Sequence, residues 1–172
     1  MSVDWAGYQT ASGKAEGVGS QLLGLNSANH EVAMIASHDL WFGLCHQYAF
    51  VSSAALPSYP FLIEIFDHAC EELKVEILDM LLGFAICSMP DVPVTAANDL
   101  KWRSALHAAL VDDIAIYKEL ASSENEEIAD FSEHIVACLL SDKSEQVESR
   151  SDIFREIKNK RRRSFVERLL RI

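Results

Sequence analysis

Ser53-Ala-Ala-Leu-Pro-Ser-Tyr-Pro-Phe-Leu-Ile-Glu-Ile-Phe66, then Asp67-His-Ala-Cys70, then Glu71-Glu-Leu-Lys-Val-Glu-Ile-Leu-Asp-Met-Leu-Leu-Gly-Phe-Ala-Ile86 decide the fold. Two apolar segments flank a polar break of a few residues. In the second segment Glu72, Glu76 and Asp79 recur at helical spacing, and nearly everything else from Leu73 to Ile86 is apolar. A helix with so narrow a polar stripe must be covered on most sides. Short breaks make antiparallel neighbours. The centre of the protein is therefore expected to be a buried helical hairpin, with Leu73, Ile77, Leu81 and Phe84 in its core. The other helices cover it.

Working outward, a short helix is expected around Val18–Leu25. A 3.6-residue apolar period over residues 28–45 follows, with Val32, Ile35, Ala36, Leu40, Trp41 and Leu44 inward and Ser27 or Asn29 as N-cap. His46-Gln47 reads as a turn. Pro57 and Pro60 place the next well-formed helix at about Ser58–His68, since proline suits only a first turn. Glu71–Ser88 is the second helix of the hairpin. Met89-Pro-Asp-Val-Pro-Val-Thr95 is a breaker run. A long helical pattern over 97–121 carries Asp112-Asp113 at its middle as a bend. Ile128, Phe131, Ile135 and Leu139 form the stripe of a helix opened by Ser122-Ser123, and a basic helix or tail follows from about residue 150. No strand is expected. The reading is all-α: a single domain built as a short solenoid of about three stacked antiparallel helical hairpins, pairing 28–45 with 53–68, 71–88 with 97–121, and 124–140 with 145–170. The alternative is a compact helical bundle.

The length of 172 residues suits one domain with a core that needs no staple. Hydrophobic content of 49% and charged content of 24% are those of a soluble globular chain. No apolar run reaches the length of a membrane span, and the N-terminus lacks a basic region followed by an apolar stretch, so a cytoplasmic location is expected. Cys45, Cys70, Cys87 and Cys138 have no zinc-knuckle or redox spacing and read as reduced structural thiols. Charge is uneven. Residues 1–148 carry 6 basic and 23 acidic side chains, and residues 149–172 carry 9 and 3. An acidic body repels nucleic acid and membranes and attracts basic partners.

Asp4-Trp-Ala-Gly7, Ala15-Glu16, Leu22-Leu23 with Leu25, His46-Gln47, Ala54-Ala55 and Tyr59-Pro-Phe-Leu-Ile-Glu64 occur in an order that resembles the opening of a group of bacterial HEAT-repeat proteins. The resemblance covers residues 4–88. It departs from the group at Tyr48, where the turn usually has glycine, and at Gly19-Ser20, where a proline often opens the helix. It implies an α-solenoid used for binding, without catalytic residues.

Chemistry-bearing motifs are absent. There is no phosphate loop and no nucleophile elbow. His30-Glu31 lacks the second histidine of a zinc-protease helix, because Met34 stands in its place. The residues three before His68, His107 and His134 are Ile65, Ser104 and Phe131, so no di-iron pair exists. No catalytic residue, metal or cofactor is therefore expected. The expected function is a protein-binding module, an immunity protein that occludes a basic toxin domain with an acidic surface. Glu64, Asp67 and His68 on one helix and Asp112 and Asp113 at the bend are the candidate partner-binding residues. The alternative class is a nucleic-acid-binding or DNA-glycosylase-like HEAT protein using Lys158-Asn-Lys-Arg-Arg-Arg163, against which the acidic body stands.

Overall fold

Residues 3–45, 48–90 and 97–141 are described by the structure, a computed structural model. Among them are seven α-helices: α1 (Val18–Leu25), α2 (His30–Cys45), α3 (Ala55–His68), α4 (Glu71–Ser88), α5 (Ala97–Asp112), α6 (Ile114–Leu120) and α7 (Glu126–Leu140). The protein is mostly helical, as its periodicity requires. The helical body runs to Leu139. The expected turn at His46-Gln47, most of the breaker run, and the basic segment with residues 158–163 lie outside the described residues.

Polar side chains set the helix starts. The carboxamide oxygen of Asn29 accepts from the N–H groups of Glu31 and Val32 at 3.0 and 3.3 Å. Asn125 does the same for Glu127 and Ile128 at 3.1 and 3.3 Å. Each satisfies donors that the first helical turn leaves orphaned. α7 thus begins at Asn125 rather than at the serine pair. α3 begins three residues before the expected Ser58. Pro57 falls within its first turn, where no donor is needed, and only Pro60 removes an internal one.

Two strands of two residues each were not expected. Gln9–Thr10 (β1) pairs antiparallel with Gly13–Lys14 (β2). The hairpin is stitched to the helices: Ala11 N–H donates to Gly43 O at 2.9 Å, and Ala54 N–H to Gln9 O at 3.1 Å. Strands so short and polar carry no period-2 signal.

α4 is the core. From Ile77 to Ser88 every residue is buried. Leu73, Ile77, Leu81 and Phe84 are buried as expected, and Asp79, read as part of the polar stripe, is also fully buried. The stripe therefore ends at Glu76. α2, α3 and α5 all pack on α4. α2 meets chiefly α1 and α4 rather than α3, which corrects the expected pairing of 28–45 with 53–68. α1 also contacts α3, and α3 contacts α5. At one edge the starts of α2, α4 and α7 are tied together. His30 Nε2 lies 3.1 Å from Glu72 Oε2, and Asn125 Nδ2 donates to Glu71 Oε2 at 2.9 Å.

Close approach explains which face of α2 turns inward. Ala33, Ala36, Ser37, Leu40, Gly43 and Leu44 are buried, while Val32 and Ile35 are exposed, contrary to the simple apolar stripe. Small residues let the helix come near its neighbours. A Cβ on Gly24 of α1 would stand 3.1 Å from Ala36 Cβ. On α4, a Cβ at Gly83 would stand 2.9 Å from both Cβ and Sγ of Cys45. Tyr48 follows in the turn with φ of 55°, the left-handed conformation that glycine favours. Two contacts hold Tyr48 there. Cys87 Sγ donates to its carbonyl at 3.1 Å, and its ring meets Trp41 edge-on with centroids 6.4 Å apart.

Leu81→Ala is expected to lower stability by about 2–5 kcal/mol, the range for opening a cavity in a tight core. Equilibrium denaturation measures it, and a cost below about 1 kcal/mol would contradict the packing.

Gly83→Ala separates two effects of opposite sign. Helix propensity alone raises stability by about 1 kcal/mol. Overpacking against Cys45 lowers it by about 1–3 kcal/mol. A net loss in urea titration is expected, and a net gain would show that α2 and α4 are not in close contact.

Candidate functional site

A cleft of about 440 Å³ opens between the N-terminal turn, α1 and α3. Trp5 sits in a short 3₁₀ turn that Asp4 caps by accepting from Ala6 N–H at 3.2 Å. Its ring lies 6.5 Å from that of Phe61 on α3 and 6.4 Å from that of Tyr8. Gly19 permits this seat: a Cβ there would stand 2.8 Å from Trp5 Nε1. Position 19 therefore needs a residue without a side chain. Leu22, Ile65 and Phe61 give the cleft an apolar wall, and Asn26, Glu64 and His68 line it with polar groups.

Two of the sequence-derived candidates thus meet in the cleft. Glu64 and His68 are one turn apart on α3 and share a face. His68 also bridges elements, with Nε2 at 2.9 Å from Asn26 Oδ1 at the end of α1. The carboxamide oxygen only accepts, so Nε2 carries the proton. Asp67 is exposed on the same helix but does not line the cleft.

Asp112 and Asp113 lie elsewhere and differ from each other. The long pattern over 97–121 breaks at Asp113, between α5 and α6, as the bend reading requires. Asp112 is exposed. Asp113 is half-buried and accepts the Tyr59 hydroxyl proton at 2.8 Å. The Tyr59 and Tyr117 oxygens are 3.0 Å apart. Burial pushes the ionisation of both phenols far up, with Tyr117 adding to the effect at Tyr59. Both therefore remain protonated, each with one proton to give. Tyr59 gives its proton to Asp113, so Tyr117 donates to Tyr59. The chain ties α3 to the α5–α6 bend.

The apolar wall of the cleft was not legible in the sequence. Trp5 and Phe61 are 56 positions apart, and their meeting depends on Gly19, whose only sequence mark is its smallness. No helix among the described residues is long and apolar enough to cross a membrane. Among them no group of three His, Cys, Asp or Glu side chains is placed to hold a metal ion. No family model matches the chain, and neither a curated protein nor a solved structure is detectably similar to it.

Tyr59→Phe is expected to cost about 1–3 kcal/mol, because it leaves a buried Tyr117 hydroxyl without its acceptor and Asp113 without its donor. Asp112→Asn, on exposed surface, is expected to stay within about 0.5 kcal/mol of wild type. Parallel denaturation curves decide, and equal effects would break the distinction between the two aspartates.

Proposed function

We propose that the chain is a non-catalytic binding module of the immunity-protein kind, which occludes a basic toxin domain. The observation that carries this reading is the cleft, where an aromatic wall and the Glu64 carboxylate lie side by side on an acidic body. Such a site suits a long basic side chain, whose stem packs on the ring faces while its charged end meets the carboxylate. An exposed apolar row on α2, formed by Val32, Ile35 and Phe42, adds surface of the kind that a protein partner covers.

The HEAT-like solenoid belongs to the same proposal. Supporting it, α1, α3 and α5 make successive contacts, α2 packs on α4, and α2, α4 and α7 start at one edge. These contacts support a layering of stacked helical pairs, with α1/α2 and α3/α4 as the proposed units. A cytoplasmic site of action is part of the same proposal.

The test needs a basic toxin domain as partner, sought first in the reading frames adjoining this one. Stopped-flow association is expected to slow as salt rises, because exposed charges are screened beyond about 8–10 Å at physiological ionic strength. Glu64→Lys and Asp112→Lys are expected to slow association with little change in stability. Asp113 is unsuited to this test, since its carboxylate holds Tyr59. A rate indifferent to salt and to both substitutions would remove the mechanism. Salt-sensitive binding to bare nucleic acid, lost when Arg161, Arg162 and Arg163 are neutralised, would replace it with the nucleic-acid reading.

A further inference from the structure

Where α2 and α4 begin, three side chains from two helices form a line. Cys70 is the N-cap residue of α4 and is exposed. Its Sγ lies 3.8 Å from His30 Nδ1. The other ring nitrogen, Nε2, lies 3.1 Å from Glu72 Oε2. A nucleophile, a base and a carboxylate that orients the base are the parts of an activated thiol. The carboxylate fixes the tautomer. Nε2 carries the proton toward Glu72, which leaves the Nδ1 lone pair facing the thiol. Sulfur and carboxylate address opposite ring nitrogens, so the three do not converge on a metal ion.

The backbone adds to the arrangement. The first intrahelical bond of α4 here is from Lys74 N–H to Cys70 O, so the preceding N–H groups point past the thiol with no acceptor in the helix. The positive end of an 18-residue helix favours negative charge at its cap. The adjacent carboxylates act against that field, Glu71 bonded to Asn125 and Glu72 to His30, so the thiol relies on His30 as its base. Other charged groups within a turn along the chain are Glu31, Asp67, His68, Lys74 and Glu76. Cys45, Cys87 and Cys138 are buried in helices.

We propose that Cys70 is a nucleophilic thiol with His30 as its base, and that it exchanges with small disulfides to form a mixed disulfide. His30 Nδ1 takes the thiol proton. The Cys70 sulfur then attacks one sulfur of the incoming disulfide, a new S–S bond forms, and the old one breaks. The leaving thiolate departs with the electron pair and takes the proton back from His30. One thiol and one disulfide are consumed and one of each is produced, so no further oxidant enters. This inference is independent of any toxin partner.

The test is the full-length folded chain with excess oxidised glutathione, followed by intact mass and peptide mapping. One adduct per chain is expected, on Cys70, and none in Cys70→Ser. His30→Gln is expected to react about a hundredfold more slowly, the low end of general acid–base assistance. Imidazole in the buffer is expected to restore the rate of His30→Ala, which a purely structural histidine would not permit. Glu72→Gln should fall between wild type and His30→Gln. In denaturant the rates of all these variants should coincide. An unchanged rate in His30→Gln, or first modification of a buried cysteine in the folded chain, would overturn the proposal.

Discussion

The close contact of α2 with α4 is the constraint on which the rest depends. α4 is buried on all sides over its second half, including Asp79, so nothing along it can be left to solvent. Covering it from the α2 side requires Gly83 opposite Cys45, with no room for a methyl group between them. Two further features accompany that approach. Tyr48, just beyond α2, is held in a left-handed conformation worth about 1–3 kcal/mol of strain. The face of α2 that enters must carry small residues, which sends Val32 and Ile35 outward. An apolar stripe chosen by hydrophobicity alone would have turned the helix the other way.

Much of the helical framework could be read from local signals. α1 and α4 have the expected limits, α2 starts at the expected cap, and the bend at Asp113 falls where two acids interrupt an apolar period. Such features depend on residues within a turn or two of each other. What escaped depends on distant partners. α3 starts earlier than expected because Pro60, read as a first-turn residue, lies inside the helix. The β-hairpin is anchored by bonds with Gly43 and Ala54 in addition to its own pairing. The burial of Asp79 was invisible because the sequence shows the spacing of a polar stripe and not how far neighbouring helices cover it.

The same division runs through the candidate site. Glu64 and His68 were legible as one helix face, and the structure puts both in the cleft. Asp112 and Asp113 looked equivalent as a pair, yet a helix break points adjacent residues into different surroundings. One faces solvent and the other holds a buried tyrosine. Trp5, the largest side chain of the cleft, stood out only as an apolar anchor in a polar segment. Its place opposite Phe61 depends on Gly19 far along the chain.

Acidic residues here perform two distinct tasks, and net charge alone cannot sort them. At the edge where α2, α4 and α7 begin, Glu71 and Glu72 are tied to Asn125 and His30, and Asp113 is tied to Tyr59. These carboxylates fix helices to one another, and moving them toward a partner would first break those ties. Glu64, Asp67 and Asp112 lie exposed on the surface. A long-range field arises from both groups, since Coulomb attraction does not depend on what else a carboxylate bonds. Close contact with a basic side chain falls to the exposed group, and among its members only Glu64 also borders an apolar wall. Steering can therefore be spread over the whole acidic body while recognition is concentrated at the cleft.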